Sequence, residues 1–299
     1  MDHSAQLALA TTLNPIGELM ALPTYVGVYG GGRMGAGIAQ AFLTSGTSVT
    51  IIEADDSAVA AAAARISGGL TKAAKRGSLT EPVHEVAGRL TVATDRSALA
   101  ECKLVIEAVP EIVDLKIEVL NQIETHAPQA IVASNTSSLS IDQMAAGLAR
   151  PHNFLGLHFF NPVPASELVE IVVGTKTSPT VVSDAQDWVA ALSKKAITVT
   201  DSPGFASSRL GVALALEAMR MVQDGVASAE DIDTAMTLGY KHPMGPLRTT
   251  DVVGLDVRLA IAEHLAREVG ERFAPPPILR DKVAAGHLGT KTGQGFYTW

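Results

Sequence analysis

The sequence predicts an α/β protein: an N-terminal doubly wound parallel sheet followed by a C-terminal all-α domain. Three observations point there. Short β-branched runs alternate with helical stretches up to about residue 200. Beyond Asp201-Ser202-Pro203-Gly204, a Pro/Gly punctuation, the pattern is almost purely helical. Aromatic residues make up only 4% of the 299, and Ala and Val carry much of the apolar content. That balance suits helices packed on a parallel sheet better than an aromatic-rich sandwich.

Taken in order, residues 1–23 end at Pro23 and read as a tail or a short surface helix. The strands expected next are Tyr25–Tyr29, Ser48–Glu53, Leu90–Thr94, Lys103–Val109 and Ala130–Ser134, all short and rich in Val and Ile. Helical periodicity falls between them over Met34–Ser45, Ser57–Lys75, Asp114–Thr125 and Ile141–Ala149. The alanine run Ala60–Ala64 marks helix propensity. Strands Phe154–Phe160, Leu168–Val173 and Ala196–Thr200 follow, with a helix over Ser183–Ser193 before the last. The domain boundary is expected near residue 201, giving a tail over 1–23, a sheet domain over 24–201 and a helical domain over 202–299. In the helical domain Phe205–Asp224 is long and apolar on most faces. Ser228 with Asp231 three residues on forms a capping box, and a further helix runs over Val252–Val269. The apolar surface of Phe205–Asp224 fits either a homodimer contact or burial within its own bundle.

The charge balance is 23 basic against 31 acidic residues, net −8, which disfavours nucleic acid as a partner. No run approaches the roughly 20 apolar residues of a membrane span. The N-terminus lacks the basic and apolar regions of a secretion signal. One cysteine, Cys102, rules out an internal disulfide and fits the reducing cytoplasm; it reads as a small buried filler.

The first motif with chemistry is Gly30-Gly31-Gly32-Arg33-Met34-Gly35, between a strand and an apolar helix. Gly30, Gly32 and Gly35 match G-x-G-x-x-G: a tight turn, a close backbone approach to a pyrophosphate, and close helix–strand packing. The helix N-terminus at Arg33 and Met34 would offer N–H groups and a partial positive charge to phosphates. Glu53 closes the second strand about 20 residues later, where a carboxylate accepts from ribose hydroxyls and repels a 2′-phosphate. The Rossmann-type reading is therefore NAD rather than NADP, with a flavin as the lesser competitor.

The second is His158 in Gly-Leu-His-Phe-Phe-Asn-Pro-Val-Pro, followed by Glu170 in Leu-Val-Glu-Ile-Val-Val. A carboxylate inside that apolar run is costly to bury without a partner. The Asn-Pro-Val-Pro turn can return the second strand beside the first. A His–Glu pair resolves the problem and is useful: imidazole takes the hydroxyl proton as hydride leaves, and the carboxylate fixes the tautomer.

At these residues the sequence resembles the 3-hydroxyacyl-CoA dehydrogenase family, in particular its short bacterial members, over roughly residues 24–299. The matching pieces run in order through Gly30–Gly37, Val105–Glu111, Ser134–Leu139, His158–Pro164, Leu168–Ile171, Asp201–Phe205, Glu230–Met236, Pro243–Pro246, Asp251–Asp256 and Lys291–Tyr297. The resemblance implies NAD-dependent oxidation of a short (S)-3-hydroxyacyl-CoA to the 3-oxo thioester. It implies His158 as base, Glu170 as its partner and Ser137 on the substrate oxygen. It places Glu111, Lys116, Asn161 and Lys291 along the nicotinamide half of NAD, and a homodimer contact in the C-terminal helices. Lys72, Lys75 and Arg76 would meet CoA phosphates, although the residues alone read as a solvated helix end.

One position departs from the family. Ser208 stands where Asn usually precedes Arg-Leu, so one shorter hydroxyl replaces an amide donor toward the thioester. Two other functions stay open at this stage: the same chemistry on a carrier-protein-bound acyl group, and a non-catalytic NAD-binding relative. Phe159-Phe160 argues against relatives that act on free acids.

Overall fold

The structure, a computed structural model, describes residues 22–299; all but the last two residues of the expected tail lie outside them. The described chain divides into two compact units. One holds everything described up to Thr136, together with Ser140–Asp201; the other holds Ser137–Leu139 and Ser202–Trp299.

The first unit begins β1 (Tyr25–Tyr29), α1 (Arg33–Thr44), β2 (Ser48–Ile52), α2 (Asp56–Lys75), α3 (Val83–Gly88), β3 (Leu90–Ala93) and β4 (Leu104–Glu107). It continues with α4 (Val113–His126), β5 (Ile131–Ser134), α5 (Ile141–Ala145), β6 (Phe154–Phe159), β7 (Leu168–Val173), α6 (Pro179–Ala191) and β8 (Lys195–Thr200). The strands form one eight-stranded sheet in the order β3-β2-β1-β4-β5-β6-β7-β8. Every neighbouring pair is parallel except β6–β7, which is antiparallel. The central strands carry apolar residues on both faces because helices cover both, and Leu104, Val105 and Ile106 of β4 are fully buried.

Strand ends differ from the sequence expectation by one or two residues, where hydrogen bonding frays. Two helices differ more. The one expected over Ser183–Ser193 starts at Pro179: Ser178 caps it by accepting from the Val181 amide, and the proline suits the first helical position. The one expected over Ile141–Ala149 stops at Ala145. Its continuation is unwound, and the Ala149 and Arg150 amides instead donate to the Glu124 carboxylate at 2.8 Å each.

The second unit is helical: α7 (Ser207–Gln223), α8 (Ala229–Thr234), α9 (Pro246–Val253), α10 (Leu255–Glu268) and α11 (Pro277–Ala284). Its core joins Val212, Leu216, Met219, Leu247, Leu255 and Leu265. Ser228 caps α8, accepting from the Asp231 amide and donating to the Asp231 carboxylate at 2.7 Å. The single helix expected over Val252–Val269 is two helices. Gly254 sits between α9 and α10 at φ +108°, a backbone shape that no helix interior tolerates and that glycine adopts cheaply. No described helix is long and apolar enough to cross a membrane.

Asp251, fully buried at the end of α9, ties the last residues down. Its oxygens accept from the Phe296 amide (2.8 Å), the Tyr297 amide (2.9 Å) and the Trp299 indole N–H (2.9 Å). Asp251→Ala leaves three donors without their acceptor, so the helical unit should lose about 3–5 kcal/mol. Urea unfolding should show a lower midpoint at unchanged slope; an unmoved midpoint would contradict the clasp.

Candidate active site

The glycine loop between β1 and α1 is built by steric necessity. Gly30 has φ +94°, and a Cβ on Gly35 would stand 1.8 Å from the Gly30 carbonyl oxygen. Gly32 is different: a Cβ there would meet no protein atom within 4 Å. It is exposed and lines a cavity of about 500 Å³ with Tyr29, Gly30, Glu53 and Val109. No side chain caps α1 at Gly32, so the first-turn amides are not satisfied by a capping group. Glu53 stands just past β2, its Oε1 accepting from the Gly31 amide at 2.7 Å. Open space over Gly32, an uncapped helix start and a carboxylate on the cavity wall are what a dinucleotide requires.

Sequence reasoning missed part of that wall. Arg96 donates to the Tyr29 hydroxyl at 2.8 Å, and Tyr29 donates to Gln122 at 2.7 Å. Arg65 of α2 donates to the Gly31 carbonyl at 3.2 Å. Tyr29 directly precedes the glycine loop and was findable by position. Arg65, Arg96 and Gln122 come from three separate elements and carry no local signal.

A second cavity, about 570 Å³, is lined by α1, α2 and the turn that holds Asn161 and Pro162. Arg33, Arg65, Lys72 and Asn161 line it, so three cations share one hollow; Lys75 and Arg76 do not take part. Arg33 and Asn161, both expected at the cofactor, thus stand on this second cavity. Met34 is half-buried against the core, so only its backbone is available to a phosphate.

Glu107, at the buried end of β4, accepts from the Val109 amide and the Ser134 hydroxyl, both at 2.6 Å. Lys116 donates to Glu107 at 2.7 Å and to the Val109 carbonyl at 3.1 Å, and lies 3.2 Å from Glu111 Oε2. Those three acceptors match the three protons of its ammonium, and the lysine side chain is only 1% exposed. The ammonium holds the partly exposed Glu111, which also accepts from Thr136 at 2.6 Å.

His158 and Glu170 face each other across β6 and β7, in register on the one antiparallel pair of the sheet. Nδ1 of His158 lies 2.7 Å from Oε2 of Glu170, with Glu170 fully buried and His158 at 7% exposure. A carboxylate on Nδ1 holds the proton there and makes Nε2 the basic nitrogen. The Phe160 ring tilts against the imidazole with centroids 4.4 Å apart. The Asn135 side chain accepts from the Phe159 amide at 2.9 Å, joining the end of β6 to the segment after β5.

In the second unit, Ser137 belongs to the three-residue segment Ser137–Leu139, and Ser208 is the second residue of α7. Lys291 is paired with Asp256 at 2.8 and 2.9 Å and is half exposed. Among the described residues no group of three or more His, Cys, Asp or Glu is placed to hold a metal.

Comparison with known proteins gives one consistent picture. Residues 25–202 match the family model of the 3-hydroxyacyl-CoA dehydrogenase NAD binding domain, and residues 204–299 match the C-terminal domain of the same enzymes. A 3-hydroxybutyryl-CoA dehydrogenase of Mycobacterium tuberculosis is 41% identical over 279 residues, covering 92% of this chain and 98% of its own. A probable 3-hydroxybutyryl-CoA dehydrogenase of Deinococcus radiodurans is 40% identical over 275 residues, covering 91% and 99%. The crystal structure of (S)-3-hydroxybutyryl-CoA dehydrogenase PaaH1 from Ralstonia eutropha superposes with a TM-score of 0.89 at 40% identity, covering 93% of this chain and 99% of that one.

Lys116→Met would strand Glu107 as an unpaired buried charge, so stability should fall by about 3–5 kcal/mol. The double variant Lys116→Met/Glu107→Gln should recover part of that loss in thermal melts. No recovery would show that the two side chains are not energetically coupled.

Proposed function

The chain belongs to the 3-hydroxyacyl-CoA dehydrogenase family, and from that premise we propose that it oxidises the 3-hydroxyl of a short (S)-3-hydroxyacyl-CoA, of the 3-hydroxybutyryl-CoA kind, to the 3-oxo thioester. The observation that carries this reading is the buried His158–Glu170 pair, in register at 2.7 Å. Bound NAD supplies the hydride acceptor. His158 Nε2 takes the hydroxyl proton as hydride leaves the same carbon, and the imidazolium that forms is stabilised by Glu170 on Nδ1.

Gly30, Gly32 and Gly35 with the start of α1 hold the pyrophosphate, and Glu53 accepts from the ribose hydroxyls. Glu111, held by Lys116 and Thr136, and Lys291, held by Asp256, are the residues we assign to the nicotinamide half of NAD. Arg33, Arg65 and Lys72 supply positive charge to CoA phosphates, with Asn161 on the same hollow. Ser137 donates to the substrate oxygen. Ser208, in place of an amide, gives the thioester a weaker donor, a change that costs rate rather than fold.

The molecule acts as a homodimer through its C-terminal helices. Support comes from exposed apolar residues of the second unit, among them Leu210 (69% exposed), Leu238 (67%) and Tyr240 (76%). Its compartment is the reducing cytoplasm: the only cysteine, Cys102, is buried, and burial pushes its thiol up to about 11, well away from reactivity.

The direct test is NADH oxidation at 340 nm with acetoacetyl-CoA, beside acetoacetyl-carrier protein and a free 3-oxo acid. Turnover of the CoA ester at least as fast as the others supports the reading; turnover of only the carrier-bound substrate overturns the choice of handle. His158→Ala should lower kcat about 10²–10⁴-fold while NAD binding is kept. Equal loss of both would make the histidine structural. Glu53→Ala should weaken NAD roughly 10- to 100-fold and narrow the preference over NADP; an unaltered NAD/NADP ratio would remove Glu53 from the ribose site.

A further inference from the structure

The wall of the first cavity carries a polar chain that the sheet itself does not need. Tyr29 ends β1 and is 7% exposed, so its hydroxyl must be given partners. A phenyl ring would fill the same space without them. The partners come from two other elements: Arg96, in a short 3-10 turn after β3, and Gln122 of α4. The Arg96 Nε–H can only donate, so it takes a lone pair of the hydroxyl at 2.8 Å. The hydroxyl proton then goes to Gln122 Oε1 at 2.7 Å. That fixes the Gln122 amide, whose Nε2 donates to Glu118 Oε1 at 3.0 Å.

All four residues belong to the first unit and line the cavity of about 500 Å³ that holds Gly32 and Glu53. The two ends of the chain are exposed and unfinished. Beyond Nε, the Arg96 fork has no acceptor among the described residues, and its neighbour Asp95 is taken by the amide and hydroxyl of Ser97. At the other end the Glu118 carboxylate keeps accepting capacity. The wall therefore offers donors at one end and an acceptor at the other, held in a fixed sense by the tyrosine. Ile52, Leu115 and Val119 add apolar surface for a flat ring. The ligand that answers such a wall is planar, with a donor and an acceptor side by side. Adenine has this form: its amino group stands beside a ring-nitrogen acceptor. With a pyrophosphate at Gly32 and a ribose at Glu53, the base is what remains for the wall to meet.

We propose that Arg96 and Glu118, held by Tyr29 and Gln122, read the adenine base of NAD. Arg96 donates to a ring nitrogen, and Glu118 accepts from the amino group. The proposal rests on the reading that Gly32 and Glu53 hold the pyrophosphate and the ribose. Hypoxanthine, in which a carbonyl replaces the amino group, turns an acceptor toward Glu118 and is refused. Arg96 and Glu118 set this preference and take no part in the proton or hydride transfer.

The test measures binding rather than turnover. Kd is read from nicotinamide fluorescence for NADH and for reduced nicotinamide hypoxanthine dinucleotide, which differ only in the base. Wild-type protein should bind NADH about 10- to 100-fold more tightly. Arg96→Met and Glu118→Gln, both at exposed positions, should each cut that ratio roughly fivefold or more. Tyr29→Phe, which deletes only the hydroxyl, should cut it as well by releasing Arg96. Equal affinities in wild type, or a ratio that no variant changes, would overturn the base-reading wall. So would a loss confined to NADPH in Arg96→Met, which would assign the guanidinium to a 2′-phosphate. Tight NADH binding with a flat ratio would sink this proposal alone; no NADH binding would sink it together with the cofactor roles of Gly32 and Glu53.

Discussion

A carboxylate inside an apolar sheet must be given donors, and that constraint organises most of the first unit. Glu170 stands in the middle of β7 and Glu107 at the end of β4, both with no exposed surface. Neither could remain charged there unpaired. Glu170 is answered across the strand pair by the imidazole of His158. Glu107 is answered by an ammonium, an amide and a hydroxyl brought in from α4, the following turn and β5. The first answer fixes the tautomer of the imidazole. The second locks the segment after β4 and gives Glu111 its place. What looks costly in each strand is thus what orients the groups around it.

Much of this was legible in the sequence because the signals were local. The β-branched runs, the glycine loop and the carboxylate closing β2 each declare themselves within a few residues. The His158–Glu170 pairing could be reasoned from the cost of burial alone, since Leu-Val-Glu-Ile-Val-Val leaves the carboxylate no solvent. The failures are equally physical. The apolar period runs unbroken through Gly254, so one helix was expected where a positive φ divides two. α3 and α11 are short, and a helix of two turns gives periodicity little to act on. Ser178-Pro179 is a start signal, and it lies four residues before the helical run that begins at Ser183.

Burial that depends on distant neighbours is what local pattern does not carry. Lys116, assigned to the cofactor by the family resemblance, lies in an amphipathic helix, where a lysine ordinarily faces water; here it is buried against Glu107, the Val109 carbonyl and Glu111. Arg258 sits in Leu-Asp-Val-Arg-Leu-Ala-Ile, a segment that gives no hint of burial. Its surroundings come from α7 and the 242–249 stretch. Three-dimensional crowding of this kind has no footprint in spacing or composition.

The antiparallel turn between β6 and β7 has a kinetic side as well. Parallel neighbours need a crossover connection, so most pairs in this sheet join residues far apart in the chain. The His158–Glu170 pair joins residues only twelve apart. Closing so short a loop costs little chain entropy and is fast compared with assembling the parallel ladder. The imidazole and its carboxylate can therefore meet as a hairpin before the nucleotide-binding half of the sheet is complete, and the charge is never left to search for its partner inside a collapsed core.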